Sequence, residues 1–209
     1  MNLFFLTAGS TRPKINVIET RSRRKMVYSG FPFQLRKKED QRRISMKSSW
    51  LIKRWAKEHW ERIRHSYSKA IYFQEMEEPI GRLYEAASKM ERLSEINYSL
   101  LKGICEIMGI KKRITWDTDY TQIDGKTERL VRLCKAVGAT DYLSGPAARD
   151  YIEPDLFEQS DIRLHWMDYS GYPEYSQLYP PFEHCVSILD LLFHTGEDAL
   201  QYMTGCVPK

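Results

Sequence analysis

The sequence predicts an α/β protein: a small, mostly parallel sheet flanked by helices, with a helical segment at about residues 56–109. Three observations carry this. Apolar residues recur at intervals of three and four between Ala56 and Ile107. Short β-prone runs alternate with helical stretches from Arg113 onward, which is α/β order. Gly109 and Gly138 stand where two of the helices should stop.

In chain order, the first helix spans Ala56 to Ala70, with Trp60, Ile63, Tyr67 and Ile71 on one face. A second runs from Phe73 to Ala87, with Pro79 as a possible entrance. A third follows Ser94, whose hydroxyl can cap it, and carries Ile96, Leu100, Ile104 and Ile107. Met90 and Met108 read as core residues. Arg113 to Trp116 is a strand, followed by a polar turn from Asp117 to Gly125 and a helix from Thr127 to Val137. Asp141 to Leu143 is the next strand, then a Ser144-Gly145-Pro146 turn and a short helix with Ala147, Ala148 and Tyr151. Ile162 to Met167 forms another strand, Tyr169 to Phe182 a Tyr- and Pro-rich loop, and Val186–Phe193 and Glu197–Met203 the closing helices.

Composition narrows the class. With 209 residues, 42% of them apolar and 29% charged, the chain can enclose a core and is neither collagen-like nor disordered throughout. The run Leu3 to Leu6 is too short for a secretory or membrane-spanning segment, so a cytoplasmic protein without membrane insertion is expected. Cys105, Cys134, Cys185 and Cys206 form no C-x-x-C pair and are each expected to be buried. His59, His65, His165 and His194 show no ligand spacing; neither metal nor cofactor is predicted.

Charge is unevenly distributed. Residues 1–60 hold 15 Lys and Arg against 4 Asp and Glu, whereas residues 61–209 hold 17 against 24. The clusters at residues 21–25 and 36–38 could serve as an arm for phosphate backbones. They lack any sustained period, however, and a solvated, poorly ordered arm is the favoured reading over a nucleic-acid partner.

An ordered set of motifs follows. Lys126 to Leu130, Cys134-Lys135, Gly138 to Gly145, Ala147-Ala148, Tyr151, Phe157, Ile162 to Leu164, Tyr175, Phe182, and Val186 to Phe193 with Gly196 resemble the WbqC-like protein family. His59-Trp60, Tyr67 to Ala70 and Tyr72-Phe73 fit as well, so the resemblance covers roughly residues 56–204. It implies a bacterial protein of O-antigen or other surface-polysaccharide biosynthesis, with transfer of an amino acid such as glycine as the suggested activity. The family's Gln-Pro-x-Tyr-x-Pro-Trp opening and its Arg-Asn-Arg-Asn-type segment are absent here.

One account joins that absence to the basic anomaly. Shifted by one nucleotide and with permitted synonymous codons, Asn16 to Lys38 can encode a string opening Arg-Asn-Arg-Asn and containing the apolar strand Leu-Gln-Trp-Leu-Ser-Ile-Pro-Val. Residues 1–55 are therefore read as a basic segment translated out of frame, and residues 56–209 as an N-terminally truncated WbqC-like domain.

The candidate site residues divide by role. Asp124-Gly125-Lys126 stands at a helix entrance, where free N–H groups favour an anion; Lys126 and Arg129 would hold it, with Glu128 in the first turn. Ser144 and Gly145 follow a strand, where open α/β sheets present loops to ligands. Tyr142 and Ser187 join this substrate-binding set, as does Tyr175 of the loop Tyr169, Tyr172, Tyr175 and Tyr179, which could equally be ordinary packing. His184 and Asp190 are the candidates for proton handling. Asp190 interrupts an apolar helical face and must have a partner, making it either a structural hub or a binding residue. The expected partner is a small molecule, a nucleotide-sugar or an activated amino acid. The competing classes are a nucleic-acid binder using the basic arm and a non-catalytic scaffold of polysaccharide assembly.

Overall fold

A computed structural model describes residues 4–6, 41–116, 119–120 and 125–203; at 4–6, 41–53 and 93 only the backbone is described. The basic clusters at 21–25 and 36–38, the recoded stretch 16–38, Asp117, Asp124 and Cys206 lie outside these residues.

Two compact units are present. One contains α1 (Gln41–Tyr67), α2 (Phe73–Ala87), α3 (Leu93–Ile107) and α6 (Ile188–Thr195). Within it α2 packs against α1, α3 and α6. The fully buried Phe193 ring lies 5.0 Å from Tyr67 and 5.3 Å from Phe73. α1 begins well before Ala56 and crosses the boundary drawn at residue 55, because the stretch from Gln41 to Tyr67 contains neither Gly nor Pro.

Three details differ from expectation here. α1 ends at Tyr67, so Ile71 leaves its face and is 73% exposed, while Ala70 takes the buried place. Pro79 lies inside α2 rather than opening it. An interior proline costs about 3 kcal/mol, and the buried stripe of Phe73, Met76, Ile80 and Tyr84 offsets it through tertiary packing. Ser94 does not cap α3; Arg92 holds the cap position without a side-chain bond. Both glycine stops are as expected. At Gly109 (φ +68°) the Ile110 N–H donates to Cys105 O at 2.7 Å, and at Gly138 (φ +64°) the Ala139 N–H donates to Cys134 O at 2.8 Å, each closing the helix in the Schellman manner.

The other unit holds the strands. β1 (Phe4–Leu6) pairs in parallel with β2 (Ile114–Trp116), and β3 (Asp141–Ser144) in parallel with β4 (Arg163–Trp166), in register Asp141 to Arg163 and Ser144 to Trp166. Parallel pairing is as predicted; it takes the form of two separate pairs among the described residues. α4 (Thr127–Ala136) precedes β3, and a 3-10 turn (Pro146–Asp150) and α5 (Pro154–Glu158) lie between β3 and β4. Their apolar faces form one core, in which Val131 and Cys134 of α4 meet Phe157 of α5 and Ile162, with Tyr142, Leu164 and Trp166 packed against them. The Tyr142 and Phe157 rings stack at 5.1 Å.

Candidate functional site

The carboxyl ends of β3 and β4 lie side by side, and the Met167 N–H donates to Ser144 O at 2.8 Å, just beyond the end of β4. Alternation along β3 turns Tyr142 and Ser144 inward. Ser144 is thus buried beside Tyr142, whose phenol is pushed upward by burial with the Ser144 hydroxyl opposing. The hydroxyl expected to meet substrate is turned into the core. Gly145 behaves differently: the Tyr169 hydroxyl lies 3.4 Å from where its Cβ would stand, and the Tyr169 ring is 56% exposed. Nearby, the Arg149 guanidinium lies over the Trp166 ring, 5.2 Å from its centroid. Sequence reading singled out neither Arg149 nor Trp166, since their meeting depends on strand register.

The start of α4 is drawn to the same end. Thr127 is fully buried; its Oγ1 accepts from the Glu153 N–H at 3.1 Å and donates to Tyr151 O at 3.4 Å. This ties Lys126, Glu128 and Arg129 to the segment that follows β3. Lys126 is exposed and Arg129 half-buried. The Glu128 carboxylate lies against Gly125, in the space a Cβ would need. It supplies from within the chain the negative charge that the helix end favours, so an external anion would share the position with it.

At the opposite end, Asp141 gathers a surface network. Arg163 donates to both its oxygens (Nε at 2.8 Å, Nη2 at 2.9 Å), Thr140 Oγ1 donates at 2.7 Å, and His165 Nε2 lies at 2.8 Å. Arg163, then Thr140 and His165, hold the carboxyl well below the usual carboxylate range. Sitting at the strand beginnings, this cluster joins β3 to β4 and lies away from the loop end where ligands bind such sheets.

Tyr175, His184, Ser187 and Asp190 belong to the helical unit. Asp190 is 7% exposed and its carboxylate is engaged on every side. Tyr67 Oη donates to Oδ2 at 3.0 Å; Tyr175 Oη at 2.7 Å and Gln177 Nε2 at 3.0 Å donate to Oδ1. His194 Nδ1 lies 2.7 Å from Asp190 O and 3.4 Å from Oδ1. Burial alone would raise the Asp190 pKa; the bonds from His194, Tyr175 and Tyr67 outweigh it and hold the group below its ordinary value. Burial opposes the charged form of His194, but Asp190 pushes its pKa upward. The Leu178 N–H donates to Nε2 at 3.1 Å, so that Nδ1 faces Asp190 and Nε2 the loop.

So structure brings Tyr175 to Asp190 and leaves His184 apart. His184 is exposed, 3.7 Å from Glu174 and edge-on to Phe182 at 4.7 Å. Ser187 caps α6, accepting from the Leu189 N–H at 3.1 Å. By sequence His194 is weighed only as a metal ligand, although its four-residue spacing from Asp190 is a visible signal. Burial pushes the Cys134 thiol up to about 11, and Cys105 is half-buried. Cys185 is exposed, contrary to expectation, because it precedes the first turn of α6. Among the described residues no three side chains are grouped to hold a metal, and no helix is long and apolar enough to cross a membrane.

Residues 21–202 match the WbqC-like protein family. The chain belongs to this family. An uncharacterised protein of Mycobacterium tuberculosis is 43% identical to this WbqC-like chain over 152 residues, which are 73% of the chain and 65% of that relative's length. The family match reaches upstream of Ala56, where the sequence motifs began. No solved structure matches.

Proposed function

We propose that this WbqC-like protein is a group transferase of bacterial surface-polysaccharide biosynthesis, O-antigen assembly included, taking its group from a nucleotide-sugar or an activated amino acid. The observation that carries this is the end of the β3–β4 pair, where side-chain-free Gly145 lies beside the hydroxyl of the exposed Tyr169. Parallel α/β sheets bind small molecules beyond their carboxyl ends, and glycine there lets a ligand approach the backbone closely. Lys126, at the start of α4, is an exposed cation of the same unit. Tyr142 and Ser144 build the floor from below. Asp190, with both oxygens occupied, acts as the hub of the helical unit.

The test is a thermal-shift screen of the full chain against nucleotide-sugars and aminoacyl donors, since a ligand bound to the folded state raises Tm. At least one donor should raise Tm for the wild type and fail to do so for Gly145→Val, whose branched side chain fills the space beside the Tyr169 hydroxyl that a ligand would need. If no donor of either class shifts Tm, the proposal is lost.

A further inference from the structure

We propose that Arg149 anchors a phosphate group of the ligand at this strand end, so that the substrate is a phosphate-bearing molecule whose flat portion lies on the Tyr169 ring. The inference rests on the reading above that the carboxyl end of β3 and β4 is the ligand site; it adds the chemical class and the residue that selects it.

Arg149 is held in place without being neutralised. Its backbone is fixed on both sides: the Ala148 N–H donates to Gly145 O at 3.0 Å, and the Tyr151 and Ile152 N–H groups donate to Ala148 O at 3.2 and 3.0 Å. The following residues are tied to α4 through Thr127. The side chain then rests on Trp166, the residue paired with Ser144 across the two strands. Among the described residues Arg149 forms no ion pair; its partner is the indole face. A cation–π contact uses the flat face of the guanidinium and leaves the N–H fork along its edge able to donate. A planar, charged fork matches two oxygens of one phosphate.

The neighbouring groups suit the rest of such a molecule. Tyr169, 56% exposed and with its hydroxyl beside Gly145, offers a ring on which a base or a sugar face can stack. No carboxylate is fixed on Arg149, in contrast to Arg163 at the other strand end, whose fork is filled by Asp141. The two arginines thus separate by role: one joins strands, the other remains open to a ligand.

The experiment is isothermal titration of the full chain, its Arg149→Gln and Arg149→Lys variants, and Tyr169→Ala, with UDP, ADP, inorganic pyrophosphate and uridine. Expected are binding of at least one nucleoside diphosphate, weakening of tenfold or more in Arg149→Gln, and an intermediate loss in Arg149→Lys, which keeps charge but not the fork. Pyrophosphate binding should depend on Arg149 and not on Tyr169; the nucleotide should depend on both. Nucleotide affinity within twofold of wild type in both Arg149 variants, or uridine binding as tightly as UDP, overturns the anchor. In that outcome a donor still active in the thermal-shift screen leaves the transferase reading standing. Absence of any shift with any donor removes both. Arg149 is exposed, so its variants should melt with the wild type; if Arg149→Gln does not fold, the decision falls to Arg149→Lys.

Discussion

The Tyr67 hydroxyl donates a 3.0 Å hydrogen bond to the Asp190 carboxylate, joining residues 123 positions apart inside the helical unit. Tyr67 ends α1 and Asp190 lies in the first turn of α6, so one bond fixes the approach of two helices. A hydrogen bond to a charged group contributes about 1.5–3 kcal/mol. Tyr67→Phe, which removes only the hydroxyl, should lower the unfolding free energy in urea by that amount. A loss below about 0.5 kcal/mol, the scale of a neutral surface change, would show that the bond is incidental.

The same carboxylate predicts a pH dependence. Its folded pKa is depressed because the bonds from His194, Tyr175 and Tyr67 outweigh the cost of burial. Such a group contributes stability above its unfolded pKa, about 3.9 for Asp, and loses it as pH falls through the lower folded value. Urea midpoints measured from neutral pH downward should therefore fall more steeply below about pH 4 in the wild type than in Asp190→Asn. Parallel curves would mean that Asp190 contributes no proton linkage.

Thr127 tests the tie between α4 and the segment after β3. Thr127→Val keeps the shape but leaves the Glu153 N–H without its acceptor, a loss of about 1–3 kcal/mol. Thr127→Ser restores the oxygen and should recover most of that stability. A loss in Thr127→Val below about 0.5 kcal/mol, the scale of a neutral change, would show that the bond to Glu153 is incidental.

Two glycines should respond differently to alanine. Gly138 has φ +64° and nothing within 4 Å of a would-be Cβ, so Gly138→Ala carries backbone strain alone, about 1 kcal/mol. Gly196 (φ 56°, ψ −127°) has the Tyr72 ring 2.5 Å from that position. Gly196→Ala should cost about 3 kcal/mol or more, adding overpacking to strain. Thermal unfolding of the pair gives the order directly, and similar Tm values for both would contradict the contact.

The reading of residues 1–55 as out-of-frame translation predicts a shifted frame in the coding DNA that rejoins near Ala56. The family match begins at residue 21, so the stretch 21–55 is where the question is decided. Codons there that cannot yield the Leu-Gln-Trp-Leu-Ser-Ile-Pro-Val strand when displaced by one nucleotide refute the shift.

What the sequence determined by itself was local. The limits of α2, the two glycine stops, the presence of strands within 113–116, 141–143 and 162–167, and the requirement that Asp190 find partners all follow from periodicity, φ preference and the cost of burying charge, which act within a few residues. Ser144, read as a turn residue, ends β3. Tertiary structure decided the rest. It chose His194, Tyr67 and Gln177 as neighbours of Asp190, turned Ser144 inward while leaving Gly145 beside the Tyr169 hydroxyl, and laid Arg149 on Trp166. The physical reason is common to all three. Strand register and helix packing set which distant side chains meet, and no spacing within one segment encodes them.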